Sequence, residues 1–356
     1  MTQRRQRWVV RIAALALSVT CTWAASGSAS AQDRAQDGAL ALPSSVSQPL
    51  EGEVRRVAQD VPDENTPDPG EHYPVSNEWR HDLWFPHVRD LGGAFVGVGS
   101  DQGYTLAAVQ DAQIAWMVDF DPLVRIVHRM YGVLVPESAD ADALVARFSA
   151  ANAAATRALL DERLAGDPDH DRVLRTFDRN RSRWERYLGR LRRLSRDGQG
   201  TSWLSDATLY ARVRALFVGG RIIARNGDVT GERAVRAIGA AARRLGVPVR
   251  VLYFSNAEQF FPYSASFVQN IQGLPSDDRS VVLRTFRGPR ATYPDGDRWH
   301  YVVHRWPDFT DRLAHGYTHS RQIVGDLVNG RPLPIGADGL TVIDANTPRR
   351  VGTAAR

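Results

Sequence analysis

Between residues 94 and 304, short apolar runs of strand length alternate with stretches of helical spacing, and this order limits the possible folds more than any other feature. Residues 94–98 form an apolar run ending in glycines, and residues 101–112 have helical spacing through Leu106, Ala107 and Val109. Residues 114–118 make a second buried strand, and Leu123, Ile126, Val127 and Met130 mark an amphipathic helix after it. Two parallel strands joined by a helix are the economical reading. The alternation resumes with strand 221–224, helix 232–245, strand 249–254, a helical stretch at 264–271, and strands 280–286 and 299–304. Residues 137–217, by contrast, carry almost no strand signal; Leu174, Phe177, Trp184, Leu188 and Leu191 follow a helical period. The pattern predicts an α/β fold, a doubly wound and mostly parallel sheet covered on both faces, with a helical insertion at about 137–217.

The ends of the chain read differently. Arg4, Arg5, Arg7 and Arg11 precede or interrupt the apolar run 8–23, and Ala29-Ser30-Ala31 follows it. Residues 1–31 thus predict a secretory signal peptide cut before Gln32, leaving an exported protein, periplasmic or secreted, with no transmembrane span. Serine and threonine dilute the run below the roughly 18 apolar residues of a span. The paired Arg4-Arg5 keeps twin-arginine export open beside the general secretory route. Residues 32–75 hold six prolines, nine acids against three arginines, and Tyr73 as the one aromatic, which predicts a disordered acidic linker. The folded domain is expected over 76–344, followed by a basic tail at 345–356.

Composition excludes several chemistries. All 45 basic residues are arginine, so a P-loop lysine, a Schiff-base lysine and a pyridoxal-phosphate lysine cannot exist. The single cysteine, Cys21, lies in the expected signal peptide, which excludes disulfides and a cysteine zinc site and suits an oxidising compartment. Loss of four arginines on cleavage leaves 41 against 40 acids, so overall charge gives no case for nucleic-acid binding.

In a doubly wound sheet, ligands bind outside the carboxyl ends of the strands, where strand order reverses. After the first strand comes Gly97-Val98-Gly99-Ser100-Asp101-Gln102-Gly103, where glycines permit a sharp turn and close approach of a ligand. Asp119 follows Gly99 by twenty residues at the end of the second strand, placed to accept both hydroxyls of a ribose. The third strand ends in Asn226-Gly227-Asp228, and the fourth in Ser255-Asn256-Ala257-Glu258-Gln259-Phe260-Phe261.

In that order these segments resemble the nucleoside-binding motifs of class I S-adenosylmethionine-dependent methyltransferases. Residues 75–78 (Val75-Ser76-Asn77-Glu78), 96–102 and 253–261 also resemble an uncharacterised bacterial family with that Rossmann-like core. The resemblance covers residues 75–310 apart from the insertion. It implies a Rossmann-like core binding S-adenosylmethionine, with Gly97 and Gly99 against the methionine part, Asp101 in the same site, Asp119 on the ribose and Asp228 at the adenine amino group. Glu258 and Asn256 would stand where such enzymes place catalytic, substrate-facing groups, with methyl transfer driven largely by positioning. The chain departs from the pattern at Phe95, where an acid is usual, and in its displaced third glycine. A cytoplasmic cofactor also conflicts with export. Two alternatives therefore stand: a non-catalytic exported binding or interaction module with a vestigial pocket, and an envelope hydrolase pairing the carboxylate of Glu258 with Asp228 or Asp101.

Other signals are weaker. His300 and His304, with Asp308, His315 and His319, form a loose set, as do His72, His81, Asp82 and His87; without H-E-x-x-H neither predicts a metal site. No G-x-S-x-G is present. Residues 172–196 hold ten arginines against Asp178 and Glu185, beside Trp184 and Tyr187. A solvated arginine face over an apolar stripe explains this run; as a binding surface in an exported protein it would suit an anionic envelope lipid.

Overall fold

The computed structural model describes residues 40–288, 291–323, 335–337 and 339–347. The expected signal peptide and the tail beyond residue 347 lie outside them. Eight strands form the main sheet: β1 (Ala94–Gly97), β2 (Ile114–Asp119), β5 (Ile222–Asn226), β6 (Val249–Tyr253), β7 (Val281–Phe286), β8 (His300–Arg305), β9 (Ile335–Ala337) and β10 (Leu340–Ile343). A small hairpin, β3 (Ser195–Arg196) and β4 (Gln199–Gly200), stands apart. The order is β5-β2-β1-β6-β7-β8-β10-β9. The first five are mutually parallel, whereas β8 runs antiparallel to β7. Counted along the chain, those five lie in the order 3-2-1-4-5, the doubly wound, Rossmann-like arrangement, with the reversal between β1 and β6.

Successive side chains of a strand point to opposite faces, so a sheet buried on both sides needs apolar residues at every position. Phe95, Ala115, Met117, Val281 and Leu283 enter one core; Ala94, Val96, Ile114, Trp116, Val118 and Val282 enter the other. In β6 the alternation skips, with Val249 on the second face and Val251 on the first. A register shift against β1 between Ala94 and Phe95 accommodates the extra residue.

The first core is covered by α2 (Gln102–Val109), α3 (Pro122–Leu134) and the helices lying between β2 and β5: α4 (Ala141–Arg147), α5 (Ala153–Arg163), α6 (His170–Arg192) and α7 (Ala207–Val218). The longest, α6, turns Val173, Phe177, Trp184 and Leu188 inward. The Arg125 guanidinium of α3 holds its start, gripping Asp169 at 2.6 and 2.7 Å. On the opposite face lie α8 (Ala234–Arg244), α9 (Ala265–Gly273) and α10 (Trp306–Ala314).

A fourth element on that face corrects the expectation of a disordered linker over residues 40–75, residues 32–39 lying outside the described ones. Residues 52–59 form helix α1 (Gly52–Gln59), and Leu50, Val57, Ala58 and Val61 are buried in the second core. The backbone around the helix is tied down as well. Arg221, wholly buried, donates to the carbonyls of Pro43 and Ser45, and the Trp116 indole donates to that of Ala58 at 3.0 Å. The Glu64 carboxylate accepts N–H groups of Asp228, Arg233 and Ala234 at 2.7, 2.9 and 2.9 Å, capping α8 from outside. The composition of the segment does not show this, because its few apolar residues are nearly all placed against the cores, most of them the second, with Val46 in the first.

Candidate functional site

The carboxyl end of β1 is shaped by its glycines. A Cβ on Gly97 would lie 2.6 Å from the Phe95 ring, and one on Gly99, whose φ is +81°, would lie 2.2 Å from the Gln102 amide. The Gly99 N–H points at Asp119 and donates to its carboxylate at 2.6 Å; the Asp121 N–H donates to the other oxygen at 2.8 Å. Burial nevertheless pushes the Asp119 pKa up to about 6, those two N–H bonds opposing it. The pairing of Gly99 with Asp119 is thus closed within the protein, by one hydrogen bond across the turn.

The other expected ligand groups are similarly engaged. Asp101 is fully buried, accepting from the Tyr187 hydroxyl at 3.0 Å and the Trp203 indole at 3.1 Å, and burial raises its pKa. Asp228 accepts from the N–H and hydroxyl of Thr230, both at 2.7 Å. Glu258, 2% exposed, is clamped by Arg284 at 2.5 Å and the Tyr263 hydroxyl at 2.6 Å. Asn256 is half-buried on the turn after β6. The cavity beside Gly97 is lined by Val98, Val118, Val229 and Phe254 and holds about 10 Å³, roughly one water. Ligand pockets run to several hundred Å³. Glu258, Asp228 and Asp101 are each bonded to different partners.

A larger opening lies beyond the end of β2. Four arginines, Arg172, Arg175, Arg179 and Arg183, line a groove of about 440 Å³ between α6, the start of α3 and the segment His72–Pro74. Their spacing of three, four and four residues sets them on one face of α6. All four are exposed, and among the described residues none enters an ion pair. The acids of the helix are paired elsewhere: Asp171 with His170 at 2.8 Å, Asp178 with Arg157 at 3.2 Å and Glu185 with Arg181 at 3.1 Å. At the groove's edge the His72 imidazole meets the Asp121 carboxylate at 2.9 Å, which joins the groove to the β2 terminus. The expected charge of this helix is therefore concentrated rather than spread. Arg190 is employed otherwise, lying 3.4 Å over the Trp79 ring, and Arg186 does not line the groove.

A third cluster occupies the reversal point itself. Glu78, 2% exposed, reaches in from the segment before β1. Its carboxylate accepts from the Ser255 hydroxyl at 2.6 Å, Thr285 at 2.7 Å, Tyr253 at 2.6 Å and His81 at 3.2 Å. Burial alone would raise its pKa, but hydrogen bonds from His81, Ser255 and Tyr253 outweigh burial and lower it. In the sequence Glu78 is marked only by the family resemblance of residues 75–78, because Glu78 and Ser255 stand 177 positions apart. The arginine stripe was readable as spacing along a helix. The partners of its neighbouring acids were not.

The histidine sets do not converge. His300 bonds the Thr292 carbonyl and Thr341, whereas His304 sits between Arg284 and Asp308. Among the described residues no group of three or more potential ligands could hold a metal ion. No helix among them is long and apolar enough to cross a membrane.

Comparison with curated proteins finds no match. Residues 73–344, from the segment that delivers Glu78 through β10, match a family described as "Domain of unknown function (DUF7790)", and the chain belongs to that family.

Proposed function

We propose that the protein is an exported binding module that holds an anion of phosphate type in the arginine groove. The observation that carries this reading is the alignment of Arg172, Arg175, Arg179 and Arg183 along a groove with no acid among the described residues that line it. Guanidinium groups stay charged at any physiological pH and grip phosphate through two parallel N–H bonds. At 1.5 Å rise per residue the four span about 16 Å, so the ligand carries several anionic groups rather than one. Export rests on the Arg-rich start, the apolar run and Ala29-Ser30-Ala31. The same headgroup chemistry is offered by an anionic envelope lipid or by a free phosphorylated molecule, and the test separates the two.

Calorimetry at low salt with inorganic phosphate and tripolyphosphate, beside co-sedimentation with phosphatidylglycerol vesicles, measures it. Tripolyphosphate is expected to bind more tightly than phosphate, and Arg175→Glu with Arg179→Glu to weaken it at least about tenfold, equivalent to 1.4 kcal/mol. Arg186→Glu, outside the groove, is the control and should leave affinity unchanged. Vesicle binding without tripolyphosphate binding would assign the groove to lipid. If neither probe binds at low salt, the reading is wrong.

The second reading keeps an S-adenosylmethionine site at Gly97, Gly99, Asp101, Asp119 and Asp228, with Glu258 and Asn256 facing the acceptor. The doubly wound topology, with its reversal beside β1, favours it. It requires the cavity of about 10 Å³ to open some thirtyfold, toward the usual ligand-pocket size. Heat released on titrating adenosylmethionine into the mature protein would support it; none with adenosylmethionine, adenosylhomocysteine or adenosine removes it.

A further inference from the structure

The reversal point between β1 and β6 carries a backbone feature invisible in the sequence. Ser255, the second residue after β6, has φ +52°, one of four non-glycine residues with positive φ among the described residues. The other three, Asp90, Asp111 and Asp197, are aspartates, which tolerate that conformation; serine does so less readily. Strain of this kind persists only where surrounding contacts enforce it, and it clusters at reactive positions. Two contacts hold Ser255 here: its hydroxyl donates at 2.6 Å to a buried carboxylate, and its carbonyl accepts the Thr285 N–H at 2.8 Å.

We propose that Ser255 is the nucleophile of a carboxylic-ester-cleaving site, with Glu78 as its base. The left-handed turn at a strand end places Ser255, half-buried, at the top of the sheet, while Glu78 behind it is sealed from water. Tyr253, Thr285 and His81 hold the carboxylate in place, so the base is oriented by further groups, as an activated nucleophile requires. The N–H groups of Ser255 and Asn256 donate no hydrogen bond among the described residues, which leaves two donors for a developing oxyanion.

The steps balance. The Ser255 oxygen bonds the ester carbonyl carbon as its proton passes to Glu78. The tetrahedral intermediate then collapses, breaking the bond to the alkoxy group, which leaves as the alcohol with that proton. Water, deprotonated by Glu78, attacks the acyl-serine and releases the carboxylic acid, and the proton returns to Ser255. The donors around Glu78 favour the ionised form that a base requires, and the alkoxy group of an ester leaves more readily than an amide nitrogen.

The mature chain treated with an alkyl fluorophosphonate, which exchanges its fluoride for the serine oxygen, should carry one adduct, on the peptide containing Ser255. Ser255→Ala should abolish it, and Glu78→Gln should slow it by at least about 100-fold. Ser255→Gly should also lose the label while melting no lower than the parent, which separates loss of chemistry from loss of fold. Should Glu78→Gln not fold, Thr285→Val removes one donor to the same carboxylate; the acid limb of the labelling rate should then move to higher pH. An unlabelled parent, a label that survives Ser255→Ala, or an acid limb unmoved in Thr285→Val overturns the proposal.

Discussion

Asp119 shows how one carboxylate answers both to its position and to its burial. Two N–H donors hold it, yet its pKa is pushed up to about 6, so the native state binds this proton more tightly than the unfolded chain, where it titrates near 3.8. The stability linked to this group is complete below pH 3.8 and lost as pH rises through about 6. The shift of about two units corresponds to at most about 3 kcal/mol. Urea midpoints measured between pH 4 and pH 7 should fall more steeply for the parent than for Asp119→Asn, which does not titrate. Equal slopes would show that Asp119 ionises in the folded protein as it does in water. Asp119→Ala leaves two N–H groups without an acceptor and should cost about 1–3 kcal/mol, with or without a ligand.

At the scale of elements, β7, β8 and α10 are joined by a buried polar chain. Arg284 donates to Nδ1 of His304 at 2.8 Å, so Nε2 of that ring must carry the proton shared with Asp308 at 2.7 Å. His304 is thus the neutral tautomer. Burial drives its pKa down to about 3, the Asp308 bond opposing and the Arg284 charge reinforcing. Burial would raise Asp308, but bonds from His304 and Arg312 prevail and hold it at about 2. The His304 contribution is whole above the unfolded value of 6.5 and is lost as pH falls toward 3, with the Asp308 share following below 3.8. NMR titration should find the His304 ring neutral at pH 5; a protonated ring there would refute the assignment. Helix α8 depends likewise on a remote group. Glu64→Ala removes the acceptor for three N–H donors and should lower unfolding free energy by about 2 kcal/mol, with Glu64→Gln recovering part of it in the same chemical denaturation experiment.

For the whole molecule, the segment before the first strand is structural as well as connective. Burial of Leu50, Val57 and Val61 contributes about 1.5–3 kcal/mol each, which together is comparable with the net stability of a domain. Deleting residues 32–72 should therefore yield protein that melts many degrees lower or is recovered insoluble. A truncated chain with the parent's melting temperature would return this segment to the role of a linker. The same stretch brings His72 to the arginine groove, and the residues after it bring Glu78 to the reversal point, so both candidate sites draw on chain that precedes the sheet.

The doubly wound sheet was legible from sequence because burial on both faces demands unbroken apolar runs, and parallel pairing demands a crossover between them; both leave a periodic trace in the chain. The charge of α6 was legible for the same reason, since helical spacing alone places Arg172, Arg175, Arg179 and Arg183 on one face. Whether a polar group faces a ligand or the protein leaves no such trace. Asp101 meets Tyr187 and Trp203, Asp119 meets the Gly99 N–H, and Glu64 meets a helix 170 positions away. Each of these is a contact of a few ångströms between residues distant in the chain, decided only when the layers pack. The positive φ of Ser255 has the same origin: local preference opposes it, and tertiary contacts with Glu78 and Thr285 hold it.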